Sequence, residues 1–290
     1  MKTIQWYPGH MAKAVRMLEE NLTLCDAVIF VLDARAPASS YNPVLKKLVR
    51  EKPVLYLLNK RDLSDGGAEA IADAMKKSGR SALCFSAMRA DVRSLQNAMN
   101  ALVKEKAERL KAKGSNRALR LFVAGIPNTG KSTVINALSG GKKAKTGDKA
   151  GVTRSKQWVK CGAFDLLDTP GLMPPSLENQ AFARRLAYLG SVNDDILEYD
   201  EIALALLEEL AVKYPDRLKE RYGIEGGDPL EMLNKVCARR GFVLRGNEYD
   251  YERGERALID DFRKGKLGRI VLDGLNDAVS AGLADGFIDG

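Results

Sequence analysis

A glycine-rich segment near the middle of the chain carries the strongest chemical signal in the sequence. It runs from Gly125 to Ser132 as GIPNTGKS, between a predicted strand at 119–124 and a predicted helix at 131–139. Glycines let such a segment curl so that its backbone N–H groups face a chain of phosphates, and the helix adds the positive end of its dipole. Spacing and context together are typical of a phosphate-binding loop. The alternative is a glycine turn that only packs.

The side chains of this phosphate loop, residues 125–132, have separate expected roles. Lys131 would place its charge on the β- and γ-phosphates, and the Ser132 hydroxyl would bind Mg²⁺. The remaining contacts to the nucleotide are expected from neighbouring residues, which are Asn128, Thr129, Gly130 and Thr133. The loop therefore predicts a nucleotide site that holds a magnesium ion.

A second motif, Asp168-Thr-Pro-Gly171, begins 37 residues after Lys131 and follows a predicted strand. Asp168 at the strand end would hold a metal-bound water, and the Gly171 amide would meet a γ-phosphate. Alone, Asp-x-x-Gly is usually a turn, but its distance from the phosphate loop favours a role in hydrolysis. Thr153, in the basic loop between the two motifs, could lend its hydroxyl to Mg²⁺, and this expectation depends on the other two motifs.

Residues that would recognise the base come earlier in the chain, after two further predicted strands. They are Asn59, Lys60, Arg61 and Asp62 after the first of these strands, and Ser86 and Ala87 after the second. Asp62 can accept two hydrogen bonds from guanine, from its N1–H and its amine, whereas adenine lacks that donor pair. Asn59 can approach guanine O6, and Ser86 would close the pocket with its hydroxyl. This motif favours GTP, with a solvated loop or a metabolic P-loop ATPase as the alternatives.

The elements that would position these motifs change character along the chain. Strands alternate with helices up to residue 175, which predicts an α/β sheet with helices on both faces. The predicted strands are 27–32, 54–58, 83–85, 119–124, 156–161 and 163–167, and the predicted helices are 68–77, 92–111 and 131–139. Beyond that point helices are predicted at 178–189, 196–212, 229–239 and 252–264. We therefore expect a nucleotide-binding domain over 1–175 and a small all-α domain over 176–290.

Composition and charge narrow the class of protein. No apolar run exceeds six residues, the length of 27–32, which is far short of the ~20 that a membrane span needs. Four widely spaced cysteines and a single histidine exclude the usual structural zinc site and predict a reducing, cytoplasmic compartment. The net charge of +8 divides unevenly, because residues 1–175 hold 30 Lys+Arg against 15 Asp+Glu and residues 176–290 hold 16 against 23. The basic first part is expected to attract RNA, with an unspecific basic surface as the alternative.

The order of the motifs is unusual, because the base-recognition residues precede the phosphate loop. With this order the sequence resembles the circularly permuted GTPases, and specifically the ribosome biogenesis GTPase A family. The matching segments are 6–11, 33–37, 59–62, 125–133, 168–171 and 261–269. The resemblance implies a Ras-like P-loop NTPase G domain with permuted motif order, followed by the small helical domain.

The resemblance also implies an activity and a partner. The activity is hydrolysis of GTP to GDP during maturation of the large ribosomal subunit, by a protein that contacts rRNA in its GTP state. No DNA or membrane partner is expected, and the protein would be a monomer off the ribosome. A nucleotide-gated RNA-binding module, whose hydrolysis is incidental, is the competing function.

Catalysis needs a substitute for a missing side chain. Leu172 stands where many GTPases carry the glutamine that orients the attacking water. Pro8-Gly9-His10 predicts a turn near the N-terminus. The resemblance implies that His10 takes a catalytic role beside Lys131 and Gly171, and a structural histidine is the alternative. It also implies that Asn128 supports a K⁺ ion that would neutralise charge in the transition state.

Two basic segments are expected to meet rRNA. The first is the loop 141–154, which should order only with GTP and Mg²⁺ bound and which carries Lys142, Lys143, Lys145 and Lys149. The second is a local patch in the acidic helical domain, formed by Arg263, Lys264, Lys266 and Arg269.

Overall fold

The computed structural model describes residues 9–89, 91–141, 144, 157–174 and 178–285, with side chains from Val15 onward. The strands in these ranges are β1 Ala27–Asp33, β2 Val54–Asn59, β3 Ser81–Cys84, β4 Leu119–Ala124, β5 Gln157–Cys161 and β6 Phe164–Asp168. The helices are α1 Gly9–Leu22, α2 Pro43–Val49, α3 Gly67–Lys77, α4 Val92–Leu102, α5 Lys104–Ala112, α6 Lys131–Ser139, α7 Gln180–Tyr188, α8 Tyr199–Lys213, α9 Pro215–Tyr222, α10 Pro229–Arg240, α11 Tyr251–Arg263 and α12 Leu275–Ser280.

The strands form one sheet in the order β3-β2-β1-β4-β6-β5. Neighbouring strands are parallel, except that β5 runs antiparallel to β6. β1, β2 and β4 are near-continuous apolar runs because helices cover both faces of the sheet, and every residue of β1 is buried. The predicted α/β fold class is confirmed.

The sheet also explains the unusual motif order. The strand that leads into the phosphate loop, β4, lies in the middle of the sheet although it is the fourth strand along the chain. The three strands that precede it extend the sheet on one side, and β6 and β5 extend it on the other. The chain therefore starts in the half of the sheet that a GTPase with the usual motif order builds last.

Helices enclose the sheet on both faces. One face packs against α1, α2 and α3 through apolar residues such as Leu18, Leu45 and Ile71. The other face packs against α4 and α6, where Leu95 and Ile135 are fully buried. The edge left between these layers, at the carboxyl ends of the strands, is where the motif loops lie.

The helices α7 to α11, here called the helical unit, have an apolar core of their own. Two residues from loops of the sheet, Ala36 and Ile126, are buried in that core. The chain then returns to the sheet, because α12 packs against α3 and Ala278 joins the core of that layer. The boundary between residues 175 and 176 stays a prediction, since 175–177 lie outside the described residues.

Two predictions about local structure were wrong. The helix expected over 92–111 is two helices, because Val103 leaves helical geometry with φ −108° and ψ 12°. Val103 is buried, whereas α5 has no fully buried residue and packs on the same core only through the partly buried Ala107 and Leu110. His10, expected in a turn, lies in the first turn of α1, and its side chain is outside the described part of the chain.

Candidate nucleotide site

The predicted motifs meet at the carboxyl edge of the sheet. In the strand register, Asp33 at the end of β1 lies opposite Asn59 at the end of β2. Likewise Val123 near the end of β4 lies opposite Asp168 at the end of β6. Ligands of open α/β sheets bind at this edge, because the parallel strands all present their loops there.

The phosphate loop has a conformation that requires glycine at position 130. Gly130 has φ +92°, and a Cβ there would collide with the side-chain amide of Asn59. Lys131 opens α6, is 7% exposed and donates to the Ile126 carbonyl at 2.8 Å. Burial lowers the pKa of Lys131 to about 8, and the charge of Asp168 partly opposes this. The loop thus places an ammonium group at a helix N-terminus, an arrangement that binds phosphates.

The other predicted residues of the loop have different surroundings. Thr129 is fully buried, and its hydroxyl donates to the Ile126 carbonyl at 3.1 Å. Thr133 is half-buried in the first turn of α6. Asn128 has φ +62°, and its Nδ2 donates to the Gly190 carbonyl of the helical unit at 2.5 Å. Thr129 therefore shapes the loop and Asn128 joins it to the helical unit, while the K⁺ role of Asn128 stays a prediction.

Ser132 and Asp168 form a pair with the chemistry of a magnesium site. The Ser132 hydroxyl donates to Oδ2 of Asp168 at 2.8 Å, whereas Oδ1 is buried with no hydrogen-bond partner among the described residues. Burial raises the pKa of Asp168, against the Ser132 hydrogen bond and the Lys131 charge. Mg²⁺ takes oxygen ligands from one or two protein groups and keeps several waters, so these residues fit it. Thr153, the third predicted ligand, lies outside the described residues.

Gly171 and Leu172 lie against the phosphate loop. A Cβ on Gly171 would come within 2.5 Å of the Pro127 backbone nitrogen, so the close approach requires glycine. The Leu172 N–H donates to the Gly125 carbonyl at 3.3 Å, and its carbonyl accepts from Asn42 Nδ2 at 2.8 Å. The Leu172 side chain is buried among apolar residues. It therefore anchors the segment and has no group that could orient a water.

The base-recognition residues form two linked loops. Asn59 is buried, and its Nδ2 donates to the Thr129 carbonyl at 2.9 Å while its Oδ1 accepts from the Ala87 N–H at 3.1 Å. The Ser86 hydroxyl donates to Oδ1 of Asp62 at 2.5 Å. Asn59 Nδ2 carries a second N–H, so the approach of Asn59 to guanine O6 stays a prediction. Its position makes it a brace between the phosphate loop and the base loops.

A cavity adjoins this pair of loops. Its volume is about 430 Å³, and Asp62, Ser86 and Arg269 contribute to its walls. Arg61, also predicted here, is exposed and forms an ion pair with Glu69 of α3. The walls include neither Asn59, Lys60 and Ala87 nor a residue of the phosphate loop, so the cavity adjoins only the Asp62 side of the predicted base site.

Lys60 connects the base loop with the phosphate loop. It has φ +65°, and its Nζ donates to the Asn128 carbonyl at 2.6 Å. The same Nζ lies 2.8 Å from Oδ2 of Asp33 at the end of β1. Burial would raise the pKa of Asp33, but the charges of Arg35 and Lys60 hold it below its usual value. Asp33 therefore stays ionised and fixes the position of Lys60.

Arg35 carries this connection into the helical unit. Its Nε and Nη2 donate to the two oxygens of Asp33 at 3.0 and 2.8 Å. Its Nη1 donates to the carbonyls of Phe262 and Arg263, at 3.3 and 3.2 Å, where the negative end of the α11 dipole lies. Arg35 is 2% exposed. In the sequence, 33–37 stands out only as a matching segment, and no role is predicted for Arg35. The signal that could have indicated this role is the Asp-x-Arg pattern at the end of a predicted strand.

The helical unit also binds the phosphate loop directly. The Ser191 hydroxyl donates to the Pro127 carbonyl at 2.8 Å, next to the Asn128–Gly190 hydrogen bond. Arg263 of α11 supports the same turn by donating to the Tyr188 carbonyl at 3.1 Å. The phosphate loop is thus hydrogen-bonded to the helical unit at two places, Pro127 and Asn128.

The fold and the site define a class, the P-loop GTPases with circularly permuted motif order. A profile of 50S ribosome-binding GTPases matches residues 120–221. Ribosome biogenesis GTPase A of Bacillus cereus is 40% identical over 276 residues, which cover 93% of both chains. The chain belongs to the ribosome biogenesis GTPase A family, and it is a GTP-hydrolysing enzyme that acts in ribosome biogenesis.

Two solved structures have the same fold. The GDP-bound structure of TM YlqF aligns with a TM-score of 0.67 and 25% identity, over 90% of this chain and 100% of that chain. The GNP-bound structure of YlqF from T. maritima aligns with a TM-score of 0.65 and 26% identity, over 91% and 99% of the two chains. As in GTPases generally, Mg²⁺ is the expected cofactor. Within the described residues, no helix combines the length and apolarity that crossing a bilayer would take.

Proposed function

We propose that this GTPase is an assembly factor of the large (50S) ribosomal subunit. In the cytoplasm its GTP form would bind the immature subunit through rRNA, and hydrolysis would release it as a monomer. The observation that carries this proposal is the direct bonding of the phosphate loop to the helical unit, through Asn128 and Ser191. The basic charge of residues 1–175 supports RNA as the surface that is bound.

The same contacts suggest how hydrolysis would change the docking surface. Gly171 lies against the phosphate loop, where its amide would meet the γ-phosphate, and Leu172 ties the segment to Asn42. α7 begins only a few residues later, at Gln180. Loss of the γ-phosphate would free this segment, and the helical unit would shift with it.

We assign the predicted side chains to roles on this basis. The residues assigned to GTP are Asn59, Lys60, Arg61, Asp62, Ser86, Ala87, Asn128, Thr129, Gly130, Lys131, Ser132, Thr133 and Gly171. Mg²⁺ would be held by Ser132 and Asp168, with Thr153 as a third ligand. Lys131 and the Gly171 amide would stabilise the charge that develops on the phosphoryl oxygens.

His10 is assigned to catalysis because Leu172 cannot orient the attacking water. If His10 acts in the transition state, His10→Ala lowers turnover and leaves the affinity for GTP nearly unchanged. If His10→Ala loses affinity for GTP as much as it loses turnover, His10 has a structural role. A K⁺ ion held by Asn128 would neutralise charge at the same stage.

Co-sedimentation with immature large subunits tests the proposal. The protein loaded with a non-hydrolysable GTP analogue should pellet with the subunits, and the GDP form should stay in solution. Replacing Lys142, Lys143, Lys145 and Lys149 by Gln should weaken this binding and reduce its salt dependence without loss of GTP binding. Identical binding of both nucleotide forms would contradict the proposal.

A turnover measurement separates this function from a nucleotide-gated RNA-binding module. An assembly factor that is released by hydrolysis should hydrolyse GTP faster when large subunits are present. A binding module with incidental hydrolysis would pellet with subunits in its GTP form at an unchanged turnover rate.

A further inference from the structure

A buried carboxylate in the helical unit is surrounded by more positive charge than it can neutralise. Asp261 of α11 is fully buried, and its Oδ2 accepts from Arg221 Nη2 at 2.9 Å and from Arg240 Nη2 at 2.5 Å. Lys266 lies 3.3 Å from the other oxygen. The Tyr222 hydroxyl donates to Oδ2 as well, at 2.8 Å. Three cations around one anion leave an excess of two positive charges.

A small cavity opens on this cluster. Its volume is about 270 Å³, and its walls are Glu220, Arg221, Tyr222, Arg239 and Arg240. Arg240 Nε is buried without a hydrogen-bond partner among the described residues, so Asp261 does not satisfy every donor of this guanidinium. The cavity lies just below the ~300–1,000 Å³ of small-molecule pockets, so it suits a compact anion better than a whole nucleoside.

The cations are held in place for a ligand. Asp261 orients the guanidinium groups of Arg221 and Arg240, while both remain about one-third exposed at 34% and 29%. Guanidinium groups bind phosphate through two parallel N–H donors, and preorganisation reduces the entropy lost on binding. Arg239 adds a further exposed cation at the cavity that is not among the partners of Asp261.

We propose that this cluster, Arg221, Arg239, Arg240 and Lys266 around Asp261, binds a backbone phosphate of RNA. This proposal rests on the proposed function and names the part of the helical unit that would bind rRNA. It also replaces part of the patch expected from the sequence. Arg263 binds Asp194 and backbone carbonyls inside the unit, and Lys264 pairs with Asp260 on the same helix.

The variant Arg239→Gln tests this site, with Arg256→Gln as its matched control. Arg256 lies on α11 and pairs with Glu252 at 3.2 Å, so the control removes one charge from the same unit outside the cluster. We measure affinity for immature large subunits with a non-hydrolysable GTP analogue, at several salt concentrations. Arg239→Gln should weaken binding several-fold and reduce the slope of log affinity against log salt by about 0.7–0.9, the value of one lost phosphate contact. Arg256→Gln should change neither.

A double variant, Arg239→Gln/Arg240→Gln, should reduce the slope of log affinity against log salt by about a further 0.7–0.9, the value of a second lost phosphate contact. GTP affinity and thermal unfolding are measured alongside, and Arg239→Gln should leave both unchanged because Asp261 keeps its partners. If Arg239→Gln and the control bind subunits equally, the cluster is not a phosphate site.

Protein-free rRNA of the large subunit separates RNA from protein as the ligand. The Arg239→Gln variant should lose affinity for this rRNA as it does for subunits. Normal rRNA binding with impaired subunit binding would indicate an acidic protein partner and overturn the proposal. If the parent protein fails to pellet with subunits in either nucleotide form, the proposed function fails, and the rRNA comparison still decides the role of the cluster.

Discussion

Asp62 is the side chain that we propose selects the base. The Ser86 hydroxyl donates to its Oδ1 at 2.5 Å, beside the cavity of about 430 Å³. Asp62→Asn should weaken GTP binding by about 100-fold and favour xanthosine triphosphate, which has a carbonyl where guanine has its amine, because a site built on hydrogen bonds rejects a ligand that leaves its groups unpaired. Competition against a fluorescent guanine nucleotide measures both affinities.

Ser86→Ala is the control for this substitution. It removes the hydroxyl that holds the carboxylate but leaves the carboxylate itself, so GTP should bind more weakly and remain the preferred base. If Asp62→Asn binds GTP as well as the parent does, Asp62 does not contact guanine.

Asn128 is the residue through which we propose that a monovalent cation affects turnover. A K⁺ ion at the phosphate loop would neutralise transition-state charge, so hydrolysis should be about tenfold faster in potassium than in sodium salts. Asn128→Ala should remove this difference. That variant also loses the hydrogen bond to Gly190, so the quantity to compare is the ratio of the two rates. If the parent protein hydrolyses GTP at the same rate in both salts, K⁺ takes no part in hydrolysis.

Among the elements, α11 carries a carboxylate whose charge is unfavourable in the folded protein. Glu255 is 8% exposed. Burial, together with the charges of Asp200 and Glu252, raises the pKa of Glu255 from 4.5 to about 7, while Arg256 opposes the shift. A carboxyl group whose pKa is raised by folding adds stability at low pH, and this stability is lost as the pH rises from about 4.5 through about 7.

The variant Glu255→Gln should therefore raise the Tm by a few degrees at pH 8 and change it little at pH 5. Thermal unfolding at the two pH values measures the effect. Glu105→Gln is the control, because Glu105 is exposed on α5, pairs with Arg109 and is not among the charges that shift the pKa of Glu255, so its removal should give no such gain. A gain of equal size at both pH values would mean that Glu255 does not titrate as described.

How far an element can be predicted from sequence depends on how many apolar repeats it contains. β4 and α6 have the predicted bounds, because a buried run and an amphipathic stretch with a glycine stop carry clear signals. The helices α2, α9 and α12 have six to eight residues, too few for a periodic pattern, and were not predicted. The helix α1, with 14 residues, was not predicted either, so length alone does not decide the outcome. The phosphate and base motifs could be read locally, whereas the role of Arg35 depends on carbonyls more than 200 residues away.

At the scale of the whole molecule, Arg35 holds the sheet and the helical unit together. Arg35→Gln would leave the buried Asp33 with Lys60 as its cation and remove the bonds to α11, so it should cost about 3 kcal/mol of unfolding free energy. Arg109→Gln, which breaks an exposed pair with Glu105, should cost at most about 1 kcal/mol. Urea unfolding measures both. Equal costs for the two variants would show that Arg35 contributes no more than a surface pair.

Ser191 tests whether the nucleotide state reaches the helical unit through the phosphate loop. Ser191→Ala removes the hydrogen bond to Pro127. GTP affinity should stay within about twofold of the parent, while the difference in subunit binding between GTP and GDP forms should shrink. Ser280→Ala is the control, because that hydroxyl donates to the Asp277 carbonyl of its own helix. An unchanged difference for Ser191→Ala would place the coupling elsewhere.

The return of α12 to α3 has a mechanical consequence. The helical unit is joined to the sheet by two chain crossings, one before α7 and one between α11 and α12, and the second is fastened where the Leu272 N–H donates to the Arg35 carbonyl at 2.7 Å. A body connected at two points keeps mainly a rotation about the line that joins them. If hydrolysis moves the helical unit as proposed, the two crossings would favour this rotation over other movements.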